Sequence, residues 1–98
     1  MTTSTKANKL KRHRITFRLE SSTAKEVYLA GDFNDWNHSS HPMKKNGNGS
    51  WSRTVMIPTG RYEYKFLADG EWMEDDSNHQ NCRNIFGTHN SVLDLRSK

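Results

Sequence analysis

Short runs in which apolar and polar residues alternate recur along the chain, and turn-forming residues separate one run from the next. A period of two is typical of a β-strand with one buried and one exposed face. No segment of ten residues shows the spacing of three and four that an amphipathic helix requires. The pattern therefore predicts an all-β sandwich, with strands at 14–19, 27–29, 43–45, 51–57, 61–66, 71–73 and 91–95.

Turn signals and polar segments define the connections between these strands. Asn46-Gly47 and Asp69-Gly70 each predict a hairpin turn, because asparagine, aspartate and glycine tolerate the positive φ that such turns require. The segments 32–42 and 74–83 are polar and lack periodicity, so both are predicted to be long surface loops.

One face of each strand supplies the predicted core. Trp51 lies in register with the apolar positions of its strand and is predicted to be buried. Phe33 follows a strand-ending glycine and is predicted to close the end of the sandwich. The other predicted core residues are Phe17, Val27, Leu29, Val55, Ile57, Tyr62, Tyr64, Phe66 and Leu93.

The length and the charge distribution indicate one domain with a basic N-terminus. The 98 residues suffice for a single core. Residues 1–14 carry five basic residues and no acid, whereas the remainder carries ten basic residues against eleven acids. We therefore predict a disordered basic tail at 1–10 and a β-sandwich domain at 11–96. A solvated tail is favoured over an arm that binds phosphate groups.

Cysteine usage and hydropathy bear on the compartment. Cys82 is the single cysteine, so the chain cannot form an internal disulfide, and an inert thiol in a reducing compartment is expected. The sequence has neither a run of ~20 apolar residues nor an N-terminal apolar segment of the secretory type. We therefore predict a cytoplasmic protein that does not enter a membrane.

Two tryptophans lie outside the predicted core. Trp36 is in a polar loop, and Trp72 directly follows the Asp69-Gly70 turn. Large aromatic side chains exposed on a small domain mark binding surfaces. A glucose unit stacks its C–H face on flat rings and offers its hydroxyl edge to polar groups. Lys65 alternates with core positions and is predicted to point outward, and Thr88 and Asn90 are predicted to face the same side.

Three sequence blocks resemble the carbohydrate-binding modules of family 48. The blocks are 27–36, which reads Val-Tyr-Leu-Ala-Gly-Asp-Phe-Asn-Asp-Trp, 62–72, and 86–92, which reads Phe-Gly-Thr-His-Asn-Ser-Val. The family includes the glycogen-binding domain of the AMP-activated protein kinase β-subunit and the N-terminal domains of isoamylases and glycogen branching enzymes. The resemblance extends over about residues 15–95 and is specific, because all three blocks occur in the family's order.

The resemblance implies an immunoglobulin-like early-set β-sandwich that binds α-1,4-glucans such as glycogen and starch. It also implies roles for six side chains. Trp36 and Trp72 match the stacking tryptophans, Lys65 matches a hydroxyl-binding lysine, Thr88 and Asn90 match the polar pair of the last loop, and Phe86 replaces a leucine that reaches into the ring of a curved glucan.

The chain departs from the family pattern at two places. Phe86 changes the shape of the apolar contact, which bears on the binding of branched or cyclic glucans. Asp75-Asp76 stands where the family often has Asp-Pro, and a looser loop is expected there. The form Phe-Gly-x-x-Asn-Ser-Val resembles the bacterial enzyme-associated members more than the kinase subunits.

An acidic cluster beside the two tryptophans raises the possibility of an enzyme. Glu71, Glu74, Asp75 and Asp76 provide carboxylates, and glycoside hydrolysis requires a pair of them. A small sandwich lacks the cleft that keeps such a pair in separate environments, and the catalytic barrel of the related family 13 glycoside hydrolases is absent. The cluster is therefore interpreted as a solvated loop, and no catalytic residue, metal ligand or cofactor is predicted.

Three functions remain open from the sequence. The first is a non-catalytic module that binds an α-1,4-glucan polysaccharide or maltooligosaccharide, either alone or with a glycogen-metabolising enzyme. The second is a protein-interaction domain that uses the aromatic face or an open sheet edge. The third, which is disfavoured, is a nucleic-acid binder that uses its basic tail.

Overall fold

The computed structural model describes residues 11–96, which form two antiparallel β-sheets. One short 3-10 turn, Asp32–Asn34, follows the second strand. The strands are β1 (Arg12–Glu20), β2 (Val27–Gly31), β3 (Lys44–Lys45), β4 (Ser50–Pro58), β5 (Arg61–Ala68), β6 (Glu71–Met73), β7 (Asn81–Arg83) and β8 (His89–Asp94). The predicted all-β, immunoglobulin-like early-set sandwich is confirmed.

The two sheets differ in size and in order. The smaller sheet has the order β1-β4-β3, and the larger has the order β2-β5-β8-β7, with β6 paired to β5. β1 and β4 pair over nine positions, from Arg12 opposite Pro58 to Glu20 opposite Ser50. Since side chains alternate along each strand, each sheet turns one face towards the other sheet and one face outward.

The inward faces meet in the predicted core. Trp51 is only 4% exposed, as predicted, and its indole N–H donates to the Ser21 carbonyl at 3.0 Å. Phe33 packs against the margin of the core, close to the ring of Phe17. Most predicted core residues are buried, and three lie half-buried at its margin: Val55, Tyr62 and Leu93. The prediction left out several residues that complete the core, namely Leu19, Ala24, Met43, Ala68 and Leu95.

The segment 32–42 is more ordered than the predicted surface loop. Asn34 donates from Nδ2 to the Leu29 carbonyl at 3.0 Å, and its Oδ1 accepts from the Gly31 amide at 3.0 Å. The loop then returns along β2, where the Leu29 amide donates to the His41 carbonyl and Pro42 forms a bridge with Tyr28. These hydrogen bonds satisfy the outer edge of β2.

The segment 74–83 also differs from the predicted loop. Its last three residues form β7, which pairs with β8. Asp75 is buried rather than solvated, because it accepts a hydrogen bond from the Tyr64 hydroxyl at 2.6 Å and its own amide donates to Ser91 Oγ at 3.0 Å. Asp75 therefore attaches this segment to the core, and the interpretation of the whole acidic cluster as solvated is wrong at this residue.

The basic residues near the N-terminus are divided between two regions. Arg12 and Arg14 belong to β1, so part of the basic excess of residues 1–14 lies on an ordered strand of the sandwich. The predicted disordered tail at 1–10 lies outside the described residues. The described part of the chain contains no helix with the length and apolarity needed to cross a bilayer.

Candidate functional site

A groove crosses the outward face of the larger sheet. Its floor comes from β5 and β8, one wall comes from the turn after β2 together with β6, and the other comes from the β7–β8 connection. All six residues singled out from the sequence line this groove: Trp36, Lys65, Trp72, Phe86, Thr88 and Asn90. The fold therefore brings together side chains that are up to 54 positions apart (90 − 36) in the sequence.

The two tryptophans form an angled pair at one wall. Their ring centroids lie 6.2 Å apart with an interplanar angle of 69°. Trp72 is 43% exposed and Trp36 is half-buried, and neither belongs to the core. The His38 ring also packs edge-on against Trp72, with centroids 5.1 Å apart. The indoles thus stand side by side at the surface, and they form a V-shaped wall rather than one flat shelf.

The backbone before Trp36 is held in an uncommon conformation. Asp35 and Trp36 both have positive φ, 56° and 57°, a region that residues other than glycine seldom adopt. The Trp36 amide donates to the Gly31 carbonyl at 2.8 Å, which closes the turn. A Cβ at Gly31 would lie 2.6 Å from the Glu63 carbonyl oxygen, so this close approach of β2 to β5 requires glycine.

Asp32 fixes the orientation of the Trp36 ring. Its Oδ1 accepts from the Trp36 indole N–H at 2.9 Å, and its Oδ2 accepts from the Glu63 amide at 2.7 Å. The carboxylate therefore connects the ring to β5. Asp32 was not among the site residues predicted from the sequence, although an aspartate four positions before a tryptophan in a polar loop is a recognisable signal.

Lys65 points to the predicted side of β5 but is not exposed as expected. It is only 8% exposed, at the floor of the groove. Its Nζ donates to Thr88 Oγ1 at 3.1 Å and forms no ion pair within residues 11–96. An ammonium group carries three N–H donors, so this buried cation retains donors for a ligand in the groove.

Asn84 organises the opposite wall. Its Oδ1 accepts from the amides of Phe86 (2.9 Å) and Thr88 (3.2 Å). Its Nδ2 donates to Thr88 Oγ1 at 2.8 Å and to Asn90 Oδ1 at 3.0 Å. One amide side chain thus positions three of the predicted site residues. Asn84 was not predicted, because an asparagine within a polar segment gives no distinct signal in the sequence.

The tip of this wall is apolar and exposed. Phe86 is 83% exposed and Ile85 is 93% exposed, and the turn continues through Gly87 at φ 83°. Phe86 lies at the rim of the groove, and its apolar contact with a glucan stays a prediction. Ile85 was not singled out from the sequence, and it extends the same apolar tip.

Glu63 carries a negative charge beside the floor of the groove. Its Oε1 accepts from Asn90 Nδ2 at 3.0 Å, and its Oε2 accepts from Arg61 Nη1 at 3.0 Å. The hydrogen bond from Asn90 and, next, the one from Arg61 lower the pKa of this carboxyl group. Glu63 therefore stays ionised near neutral pH and holds Asn90 in a fixed orientation.

Comparison with known proteins identifies relatives of this chain. A family model described as the glycogen recognition site of AMP-activated protein kinase matches residues 13–98. The β-1 subunit of 5'-AMP-activated protein kinase from Sus scrofa is 36% identical over 72 residues, which cover 74% of this chain and 56% of that protein. The human β-1 subunit is 35% identical over the same length, which covers 25% of it.

A plant protein and a solved structure extend the comparison. Protein PTST homolog 2, chloroplastic, from Arabidopsis thaliana is 41% identical over 54 residues, which cover 55% of this chain and 10% of that protein. The crystal structure of the enterobactin esterase from Shigella flexneri aligns with a TM-score of 0.74 at 18% identity, over 87% of this chain and 30% of that one. The latter likeness concerns the fold alone. The chain matches between about a tenth and about half of the length of these curated relatives.

Proposed function

The chain belongs to the family of the glycogen recognition site of AMP-activated protein kinase, and we propose on that premise that its groove binds an α-1,4-glucan. The observation that carries the proposal is the pair of surface indoles, 6.2 Å apart, above a polar floor. Flat rings take the C–H face of a glucose unit, and their mutual angle suits a chain that curves rather than one that lies flat.

The polar floor is suited to the hydroxyl edge of the sugar. Lys65 keeps unused N–H donors in the groove, and Thr88 and Asn90 lie beside it with their orientations fixed by Asn84. Polar groups that are already oriented reduce the entropy lost on binding. The groove has a volume of about 1210 Å³, whereas small-ligand pockets begin at ~300 Å³. It therefore has room for several glucose units.

We propose a binding role without catalysis for this groove. The two carboxylates that line it, Asp32 and Glu63, already accept hydrogen bonds from their neighbours. A glycosidase needs a general acid whose pKa is raised, whereas the pKa of Glu63 is lowered by its hydrogen bond from Asn90. These carboxylates position other side chains and are not free to transfer protons to a sugar.

The partner enzyme and the compartment extend this proposal. Because the matched region is only part of each curated relative, we propose that the domain brings a glycogen-metabolising enzyme to its glucan, whether in the same chain or in another. The likeness to bacterial enzyme-associated members stays a prediction. A cytoplasmic location is supported by Cys82, whose half-buried thiol has no cysteine partner in this chain.

Titration of ¹⁵N-labelled protein with maltoheptaose tests the site and the ligand class together. We expect the largest shifts at the indole N–H groups of Trp36 and Trp72 and at the amides of Thr88 and Asn90. A β-1,4-linked glucose oligomer of equal length serves as the control, because its flat chain does not fit the angled pair of rings. Shifts confined to β1, β3 and β4, or equal binding of the two oligomers, would contradict the proposal.

A further inference from the structure

The outer edge of β1 is the longest unpaired sheet edge among the described residues. β1 spans nine residues and pairs only with β4. By contrast, the loop 41–43 bonds to the outer edge of β2, and the edge strand β7 has only three residues. An exposed edge of this length offers a row of backbone donors and acceptors to another chain.

The hydrogen bonds at the two ends of the β1–β4 ladder identify which groups are free. The Thr59 amide donates to the Lys11 carbonyl, and the Ser21 amide donates to the Gly49 carbonyl, both in the same register as the strands. In an antiparallel pair, hydrogen-bonded positions alternate with positions whose N–H and C=O point away. The odd-numbered residues of β1 therefore bond to β4, and the even-numbered residues direct their backbone groups to the open edge.

These even-numbered residues also carry the basic side chains of this face. Arg12, Arg14 and Arg18 are all exposed, and Lys44 of β3 lies on the same face. Glu20 is the one acid that β1 contributes, and it is already paired with Arg18 at 2.9 Å. The free edge and the positive charge thus coincide on the same residues.

We propose that the β1 edge binds an extended acidic segment of another polypeptide, which adds a strand to the smaller sheet. Main-chain hydrogen bonds to Arg12, Arg14, Thr16 and Arg18 would supply affinity, and carboxylates at alternate positions of the segment would meet the arginines. Charge argues against two other occupants. Residues 1–10 contain two lysines and no acid. A second copy of β1 paired antiparallel about Thr16 would place Arg14 opposite Arg18 twice, and the Glu20 that would then face Arg12 is already paired with Arg18.

The test uses a capped peptide of alternating glutamate and threonine, matched to the nine residues of β1. Hydrogen exchange at the amides of Arg12, Arg14, Thr16 and Arg18 should slow by at least about tenfold at saturation. The amides of Ile15 and Phe17 already bond to β4 and should keep their rates. Because the attraction is electrostatic, binding should weaken when the salt rises from about 0.1 M to about 1 M.

A backbone variant separates this surface from the glucan site. Thr16→Pro removes one outward N–H without removing a bond to β4, and proline is tolerated at such edge positions. We expect at least about a tenfold loss of peptide affinity, with maltoheptaose binding unchanged, whereas Thr16→Val should keep both activities. Maltoheptaose binding also reports that each variant is folded.

Three outcomes would overturn the proposal. The first is unchanged exchange at the even-numbered amides. The second is equal binding of a peptide with lysine in place of glutamate. The third is protection of those amides in the protein alone as its concentration rises, which would show that a second copy occupies the edge.

Discussion

The two outward faces of the sandwich are built on the same alternation of side chains but expose different chemistry. The larger sheet carries a groove with two indoles, a buried lysine and several hydrogen-bonded amides. The smaller sheet carries arginines, threonines and one exposed methionine, Met56, on an open surface. The two faces differ because of their connecting loops. The loops at 32–42 and 84–88 form walls over the outward face of the larger sheet.

The first prediction concerns the loss of an indole from the groove, compared with the loss of an apolar side chain from the outward face of the smaller sheet. Trp72→Ala should weaken maltoheptaose binding by about 2 kcal/mol, or about thirtyfold, because truncation of a stacking aromatic removes a binding hot spot. Met56→Ala is the matched control, since Met56 is 52% exposed and Trp72 is 43% exposed. Titration calorimetry gives both affinities, and thermal unfolding shows whether the fold persists.

Equal affinities of Trp72→Ala and the unmodified protein would contradict the assignment of the ligand to the groove. A loss of binding in Met56→Ala would instead place a ligand on the smaller sheet. Trp36→Ala should also weaken binding. Because the Trp36 ring is half-buried and hydrogen-bonded to Asp32, the unfolding temperature of Trp36→Ala should fall more than that of Trp72→Ala.

The second prediction separates the two functions of the Asn84 side chain. Asn84→Ala removes the acceptor for the amides of Phe86 and Thr88, so their hydrogen exchange should become faster, and glucan affinity should fall by about 1 kcal/mol. Asn84→Asp keeps the acceptor but loses the donor to Thr88 Oγ1 and to Asn90 Oδ1. In Asn84→Asp, the amides of Phe86 and Thr88 should keep their exchange rates, while the affinity for the glucan still falls. Full affinity in both variants would show that Asn84 shapes the turn only.

The third and smallest prediction concerns pH. The pKa of Glu63 is lowered in the folded protein, first by the hydrogen bond from Asn90 and then by Arg61. The stabilisation of the fold by ionised Glu63 is therefore present above the ordinary pKa of a glutamate. It is lost as the pH falls through the lowered pKa of the folded protein. Maltoheptaose affinity should decline in that acid range, by less than about threefold, because solvent screens this group.

Glu63→Gln provides the comparison for this pH dependence. The amide keeps an acceptor for Asn90 but does not titrate, so the acid decline in affinity should flatten. An equal decline in the variant and in the unmodified protein would assign the effect to another carboxyl group. Arg14→Gln on the smaller sheet should leave the pH profile of glucan binding unchanged.

Alternation predicted the sheets well because it is a local property of the chain. β1, β4 and β5 lie close to their expected positions. Alternation predicted that Lys65 lies on the outward side of its own strand and that Thr88 and Asn90 share a side. Alternation does not indicate which loops or side chains pack over a residue. The burial of Lys65 therefore could not be predicted, since the groove walls that flank it come from distant parts of the chain.

The remaining differences arise from partners that are distant in sequence. β7 reads Asn-Cys-Arg and has no alternating pattern, and it is a strand only because β8 pairs with it. In the sequence, Asp75 is one of several neighbouring acids. Its distinct environment comes from the Tyr64 hydroxyl, eleven positions away, which donates a hydrogen bond to it. Single-sequence patterns identify which face a residue occupies, whereas tertiary hydrogen bonds decide its environment.

The buried position of Lys65 has a consequence for the heat of binding. The residue is only 8% exposed, and its one internal hydrogen bond, to Thr88, restrains the ammonium group at the floor of the groove. A sugar hydroxyl that reaches it therefore freezes little additional side-chain motion. Calorimetry of Lys65→Met should therefore show the loss mainly as enthalpy, with a much smaller change in the entropy of association.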